Sequence, residues 1–235
     1  DVFLDNPRKA LTLIHDGTQW VLIGEAPQQI DRVQAKVVFA NTTAYPVGTA
    51  VGISSGTASY VSQAEGYYVN YASAASSNAR AGVQGVVFGE TRHNPTMTVW
   101  LKTGGSIANM RIFIGFFAGG LYAGGDNLAG SGISAVMLRY STAAGDVGWR
   151  PVTSNGTTQT VHAQLGWNLA INTAYKLQVS VINGVAYFVV NDSAYFSSAL
   201  TIPASTTALL WSADGMTLEA VAKSLLFKHI TLETL

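Results

Sequence analysis

Residues 175–190 read Tyr-Lys-Leu-Gln-Val-Ser-Val-Ile-Asn-Gly-Val-Ala-Tyr-Phe-Val-Val, and their pattern decides the fold. Tyr175, Leu177, Val179 and Val181 fall on one face of an extended chain, and Lys176, Gln178 and Ser180 on the other. That period of two marks a strand with one face buried. Asn183-Gly184 follows, a pair suited to a two-residue hairpin because both central residues of that turn take positive φ. The returning residues 185–190 are apolar on both faces, which suits a strand inside a sandwich or under a subunit contact.

Strand patterns of the same kind recur outward from this hairpin. They cover residues 84–90, 96–102, 110–117, 133–140, 157–163, 208–212 and 225–232, and Gly, Asn and Asp punctuate them. With residues 175–182 and 185–191 they give the strand count of an all-β sandwich. Helical spacing occurs only around residues 218–226, so at most one short helix is expected. Residues 1–40 carry three further strand candidates, 10–14, 19–23 and 32–39, the first two flanking a turn at Asp16-Gly17. Residues 41–82 are rich in Ala, Ser, Thr, Gly and Asn, with Tyr67, Tyr68 and Tyr71 among them. The chain therefore divides into a small N-terminal β module (1–40), an Ala/Ser/Gly-rich connector (41–82) and a sandwich (83–235).

Thirteen basic and thirteen acidic residues cancel among the 235, so no overall field draws the protein to nucleic acid or to an anionic membrane. Charged residues make up 11% of the chain, against about 25% in ordinary soluble domains. A surface so poor in charge suits a subunit that covers part of itself with partners. Cysteine is absent, which removes disulfides, thiolate metal sites and cysteine nucleophiles. The longest apolar runs, such as 112–120, are far shorter than the roughly 20 residues a membrane helix needs, so no membrane insertion is expected. The first residue is Asp1, with no basic-then-apolar leader, the expectation for a processed chain or a piece of a longer one.

One family shares these patterns. The run Trp167-Asn-Leu-Ala-Ile-Asn-Thr-Ala-Tyr-Lys-Leu-Gln-Val-Ser-Val181, then Tyr187-Phe-Val-Val-Asn191, Thr201-Ile-Pro203 and the last strand Ala222-Lys-Ser-Leu-Leu-Phe-Lys-His-Ile-Thr-Leu232 resemble the concanavalin A-like or laminin-G-like jelly-roll sandwiches of bacteriophage tail fibres and other virion proteins. Gly115-Phe-Phe-Ala-Gly-Gly120 and Ala135-Val-Met-Leu-Arg-Tyr140 resemble the inner strands of that group, and Gly148-Trp149 with residues 153–160 its central hairpin. Ala10-Leu-Thr-Leu-Ile-His-Asp-Gly-Thr-Gln-Trp20 resembles a small module at the ends of phage fibre and spike shafts. The resemblance implies a jelly-roll fold and a place in a virion, and fold by itself does not give function.

The chemistry legible in the residues is sparse. A glycoside hydrolase of this type needs two carboxylates flanking the scissile bond, about 5 to 9 Å apart. The acids from residue 90 onward are Glu90, Asp126, Asp146, Asp192, Asp214, Glu219 and Glu233, and no two stand at alternate positions of one strand. No serine sits in a Gly-x-Ser-x-Gly elbow, and His15, His93, His162 and His229 are scattered without metal spacing. The glycines of residues 119–132 lack the Lys-Ser/Thr and helix that a phosphate cradle requires, and fit tight turns better. Asp126-Asn127 offers calcium a single carboxylate, too thin a ligand set for a metal expectation. For a glycan, aromatic faces and amides are the usual combination, and Tyr122, Asp126, Asn127, Trp149, Arg150 and Asn155 lie in or beside expected loops where they could meet at one end of the sandwich. Against this, Trp149 suits core packing at least as well.

The sequence thus leads to a non-enzymatic structural or adhesive virion protein: a tail fibre, head fibre or capsid-decoration subunit. Its expected partners are copies of itself, most simply as a homotrimer, other virion proteins and host surface polysaccharide; neither cofactor nor nucleic acid is expected. Two other readings stay open, a lectin-like carbohydrate-binding module and a polysaccharide-depolymerising enzyme.

Overall fold

A computed structural model describes residues 10–15, 20–26, 34–38, 49–54, 57–118 and 125–234. Its strands in chain order are β1 (Ala10–His15), β2 (Trp20–Ala26), β3 (Gln34–Val38), β4 (Thr49–Ser54), β5 (Thr57–Gln63), β6 (Gly66–Ala72), β7 (Arg80–Glu90), β8 (Thr96–Thr103) and β9 (Met110–Ala118). They continue as β10 (Ser134–Ser141), β11 (Gly148–Asn155), β12 (Gln159–Val161), β13 (Leu165–Asn168), β14 (Ala174–Ile182), β15 (Val185–Val190), β16 (Ala194–Ser198), β17 (Ala208–Thr217) and β18 (Ser224–Glu233). Three single-turn 3-10 segments are the helical elements among the described residues.

Two antiparallel sheets form the sandwich. The first runs β12-β11-β10-β9-β17-β7-β4, with β13 also on β11; the second runs β16-β15-β14-β8-β18-β6-β5, with β3 also on β18. Strands far apart in sequence lie side by side, as β9 with β17 and β8 with β18, which is the crossing pattern of a jelly roll. β1 and β2 pair with each other in a separate two-stranded sheet, as the flanks of Asp16-Gly17 foretold, while the turn itself lies outside the described residues.

Alternation sets the inner faces. β8 turns Met97, Val99 and Leu101 inward; β14 adds Leu177, Val179 and Val181, and β9 answers from the first sheet with Ile112, Ile114 and Phe116. Each such side chain contributes about 1.5 to 3 kcal/mol when fully buried, and burial of this kind is the dominant favourable term in folding. The hairpin at Asn183-Gly184 has φ of 50° and 76°, the two positive values its sequence requires, and places Ile182 opposite Val185. β15 buries Ala186, Phe188 and Val190 and leaves Val185, Tyr187 and Val189 half-exposed on the second sheet's outer face.

Two expectations change here. Residues 57–72, expected within a connector, are strands of the second sheet: β6 pairs with β18, and Tyr68, Val69 and Tyr71 are buried. Small and polar residues diluted the apolar pattern there, although Val69 and Tyr71, two positions apart on one face, need no more than neighbouring strands to be covered. The short helix allowed near residues 218–226 does not form either. Val221 is exposed, and Ser224 begins β18, whose bulge between Phe227 and His229 turns Leu225, Phe227, Ile230 and Leu232 all inward.

Candidate functional site

The outer face of the first sheet, turned away from the second, carries most of the chain's described arginine. Inward Ile112, Ile114 and Phe116 leave Arg111, Phe113 and Phe117 of β9 on the opposite side; the same parity puts Met137 and Arg139 of β10 and Arg150 and Val152 of β11 there. Register aligns them: Asp214 of β17 lies beside Gly82 of β7 and Phe113, Phe113 beside Arg139, and Arg139 beside Arg150. One step along, Met216 lies between Arg80 and Arg111. Four arginines, Arg80, Arg111, Arg139 and Arg150, therefore span five adjacent strands, roughly 19 Å at the usual strand spacing.

Three aspartates hold them. Arg80 donates from Nε to Asp214 Oδ2 at 2.9 Å, and Ser212 Oγ donates to Asp214 Oδ1 at 2.7 Å. Arg111 grips Asp126 with two bonds, 2.9 and 2.6 Å. Arg139 grips Asp146 likewise at 2.8 and 3.1 Å, the Ser141 amide donates to the same carboxylate at 3.0 Å, and Arg150 Nε lies 3.0 Å from it. Planar guanidinium groups suit such two-pronged contact, and burial strengthens it. The pairs differ in access: Asp146 and Arg139 side chains are 1% and 5% exposed, whereas Asp126 is 23% and Arg150 34% exposed. Among the described residues this face thus counts four arginines and three aspartates.

Apolar and amide groups complete the surface. Phe113, Phe117, Ala135, Met137 and Val152 form a second core on this outer side, covered by Leu128 and Ile133. Beside them Gln84 of β7 is 1% exposed, and neither atom of its carboxamide makes a hydrogen bond within the protein. A buried amide without partners costs about 1 to 3 kcal/mol, so its placement needs a reason beyond packing.

The residues expected to converge on a glycan do so only in part. Asp126 and Arg150 join one network, because Arg139 bonds the Asp126 carbonyl at 3.4 Å as well as Asp146. Asn127 closes its own turn by accepting from the Gly130 amide at 3.0 Å. Asn155 ends β11, accepting from the amides of Thr157 and Thr158, about 17 Å along the strand from Arg150. Trp149 and Arg150 sit within β11 rather than in a loop, and Trp149 faces the core, edge-on to Tyr175 with ring centroids 5.9 Å apart. Tyr122 lies outside the described residues. For calcium, the Asp126 carboxylate that would ligate it is occupied by Arg111. Arg80, Gln84, Arg111, Arg139 and Asp214 were not singled out from the sequence. The available signal was a lone arginine inside an apolar strand run, as Arg139 in 135–140 and Arg111 ahead of Ile112.

The three histidines with described side chains lie elsewhere. His162 is buried between β11 and residue 201, its Nε2 3.0 Å from Thr153 Oγ1, which is 2.8 Å from Thr201 Oγ1; burial pushes its pKa below the ordinary 6.5. His229 stacks on Trp100 at 3.9 Å on the second sheet's outer face, and the amide of Glu90 donates to His93 Nδ1 at 3.2 Å.

This architecture defines a concanavalin A-like jelly-roll β-sandwich. No protein-family model matches the chain, and no curated protein matches it. Solved structures do. A protein of unknown function from Shewanella oneidensis MR-1 superposes with a TM-score of 0.63 at 12% identity, over 86% of this chain and 86% of that one. Alginate lyase A1-II′, a member of polysaccharide lyase family 7, gives a TM-score of 0.54 at 12% identity over 74% and 83%. The carbohydrate recognition domain of Emp47p gives 0.56 at 10% identity over 85% and 94%. At these identities the likeness establishes the fold, shared by lectin domains and by enzymes acting on polysaccharide. It does not extend to the virion setting expected from residues 10–20 and the last strands.

The expectation of a non-enzymatic protein is corrected by the same finding, since polysaccharide lyases adopt this sandwich. A missing carboxylate pair bears on hydrolysis alone. A lyase cleaves by elimination, which calls for a group that removes a proton, and His, Tyr or Lys can do that without a second carboxylate.

Proposed function

We propose that the chain is a carbohydrate-binding module that holds an acidic polysaccharide on the outer face of its first sheet. The arginine row carries this reading. Uronate carboxylates match the guanidinium fork that Asp126 and Asp146 already occupy, and the more exposed groups, Arg150 and the Arg111–Asp126 pair, are where a ligand carboxylate exchanges most readily with the protein's own. The occurrence of this fold in lectin domains and alginate lyases supports a saccharide ligand.

Affinity electrophoresis through gels containing alginate or neutral dextran tests it. Alginate is expected to retard the protein, salt to relieve the retardation, and dextran to have no effect. Arg150→Ala should weaken binding about tenfold, the equivalent of 1.4 kcal/mol. Equal migration in both gels, or retardation untouched by Arg150→Ala combined with Arg111→Ala, would refute the reading. Growth of ultraviolet absorbance from unsaturated uronate during incubation would make the face a substrate site of a lyase. A bacteriophage fibre or decoration subunit would use such a face to contact host polysaccharide, a setting supported by the motif at residues 10–20.

A further inference from the structure

The second sheet has a separate feature on its own outer face. A cavity of about 260 Å³ opens across β5, β6, β18 and β8, with Val61, Gln63, Asn70, Lys102, Asn172 and Leu226 in its wall. Register explains the assembly: Asn70 stands beside Leu226, and Leu226 beside Lys102, so an amide, an apolar floor and an ammonium form one row. The loop glycines at 104 and 105 and Asn172, in the turn that leads into β14, close the end of that row.

We infer that this cavity binds one neutral sugar ring. Its volume lies below the roughly 300 Å³ at which pockets for drug-sized ligands begin, which suits a single ring and not a chain lying along the groove. The polar groups define the ligand's chemistry. Asn70 Oδ1 is buried and accepts no hydrogen bond within the protein, so the wall presents an acceptor that requires a donor such as a hydroxyl. Lys102 Nζ, by contrast, is already satisfied, 3.1 Å from Gln63 Oε1 and 3.2 Å from both oxygens of Glu65. Its charge is matched by the Glu65 carboxylate, and Lys228 Nζ is in turn held by the Glu65 carbonyl at 2.8 Å, so the wall offers no open guanidinium-like fork for a ligand carboxylate. Because Gln63 Oε1 faces the ammonium, its Nε2 is the donor end of that amide. An acceptor and a donor flanking Val61 and Leu226 match neighbouring hydroxyl groups on a ring whose C–H face rests on the aliphatic floor. This selectivity is the opposite of the arginine face, and the two sites stand or fall separately.

The test is an amide-resolved NMR titration of the full chain with glucose, galactose, mannose and N-acetylglucosamine, each to about 50 mM, a range that covers millimolar affinity. At least one sugar should shift the Asn70, Gly105 and Asn172 signals in a saturable way. Asn70→Leu keeps the volume and removes the unmet acceptor, so its melting temperature should hold or rise while binding falls at least tenfold. Gly105→Leu is the second probe: a Cβ there meets only Asn172 Oδ1, at 4.0 Å, so the new side chain covers the mouth without strain and should block the shifts. Retardation by alginate should be unchanged in both variants. No saturable shift with any of the four sugars, or titration of both variants like the parent, overturns the inference; loss of alginate binding alone leaves it intact.

Discussion

At the scale of the residue, burial decides what each polar group does. Asp146 receives two arginines and a backbone amide at a site 1% exposed, and removing it would strand Arg139 in the sheet without a counter-charge. Asp146→Ala is therefore expected to cost about 3 to 5 kcal/mol in denaturant unfolding, far more than loss of an exposed pair such as Lys176–Asp192. His162 acts in the other sense. Desolvation holds its pKa below 6.5, so the unfolded chain takes up a proton more readily than the folded one. Its contribution to stability is complete above pH 6.5 and is lost as pH falls from there through the folded value. Unfolding measured at a series of pH values should show this loss, and the His162→Gln variant should show a shallower dependence over the same interval. Thr201, hydrogen-bonded to Thr153 and Thr160, holds a φ of 52°, a conformation that β-branched residues avoid, so this hydroxyl cluster is kept at some backbone strain.

At the scale of the element, turns and bulges determine which face a strand presents. The Asn183-Gly184 hairpin has positive φ at both central residues, and Gly184 has open space where a side chain would stand. A larger residue is thus opposed by backbone conformation alone. Gly184→Val should lower stability by about 1 to 3 kcal/mol, read as a fall in melting temperature, and an unchanged value would mean that the turn relaxes without cost. β18 illustrates the converse. Its bulge shifts the alternation by one residue, so Phe227 and Ile230, three apart, both reach the core. An apolar spacing that resembles a helix is thereby compatible with a strand.

At the scale of the whole molecule, both outer faces of the sandwich are unusual for a chain with 11% charged residues. The first is an arginine–aspartate lattice; the second shows half-exposed Val185, Tyr187 and Val189 beside Tyr195, which is 59% exposed. Apolar area removed from water is worth about 25 cal/mol per Å², and cyclic symmetry would let identical patches close on one another. A homotrimer is the expected assembly. Light scattering coupled to gel filtration should give three times 24.8 kDa, and a stable monomer at micromolar concentration would count against self-association of this face.

The sandwich is legible in the sequence alone, because alternation in 96–102 and 175–182, apolar runs such as 112–117 and a turn at Asn183-Gly184 are local properties that survive without knowledge of neighbours. The sequence also contained the reason to place Trp149 in the core, since an indole on a sheet usually supplies buried area. Residues 57–72 were not legible as strands, because their cover comes from β18, more than 150 positions away along the chain. The arginine face was hidden for the same reason. Arg80 and Asp214, Arg111 and Asp126, and Arg139 and Arg150 become neighbours only when β7, β17, β9, β10 and β11 align in register. Periodicity reports which side of a strand a residue occupies. Which other strands lie beside it is decided by long-range pairing, and the chemistry of this protein's faces is a product of that pairing.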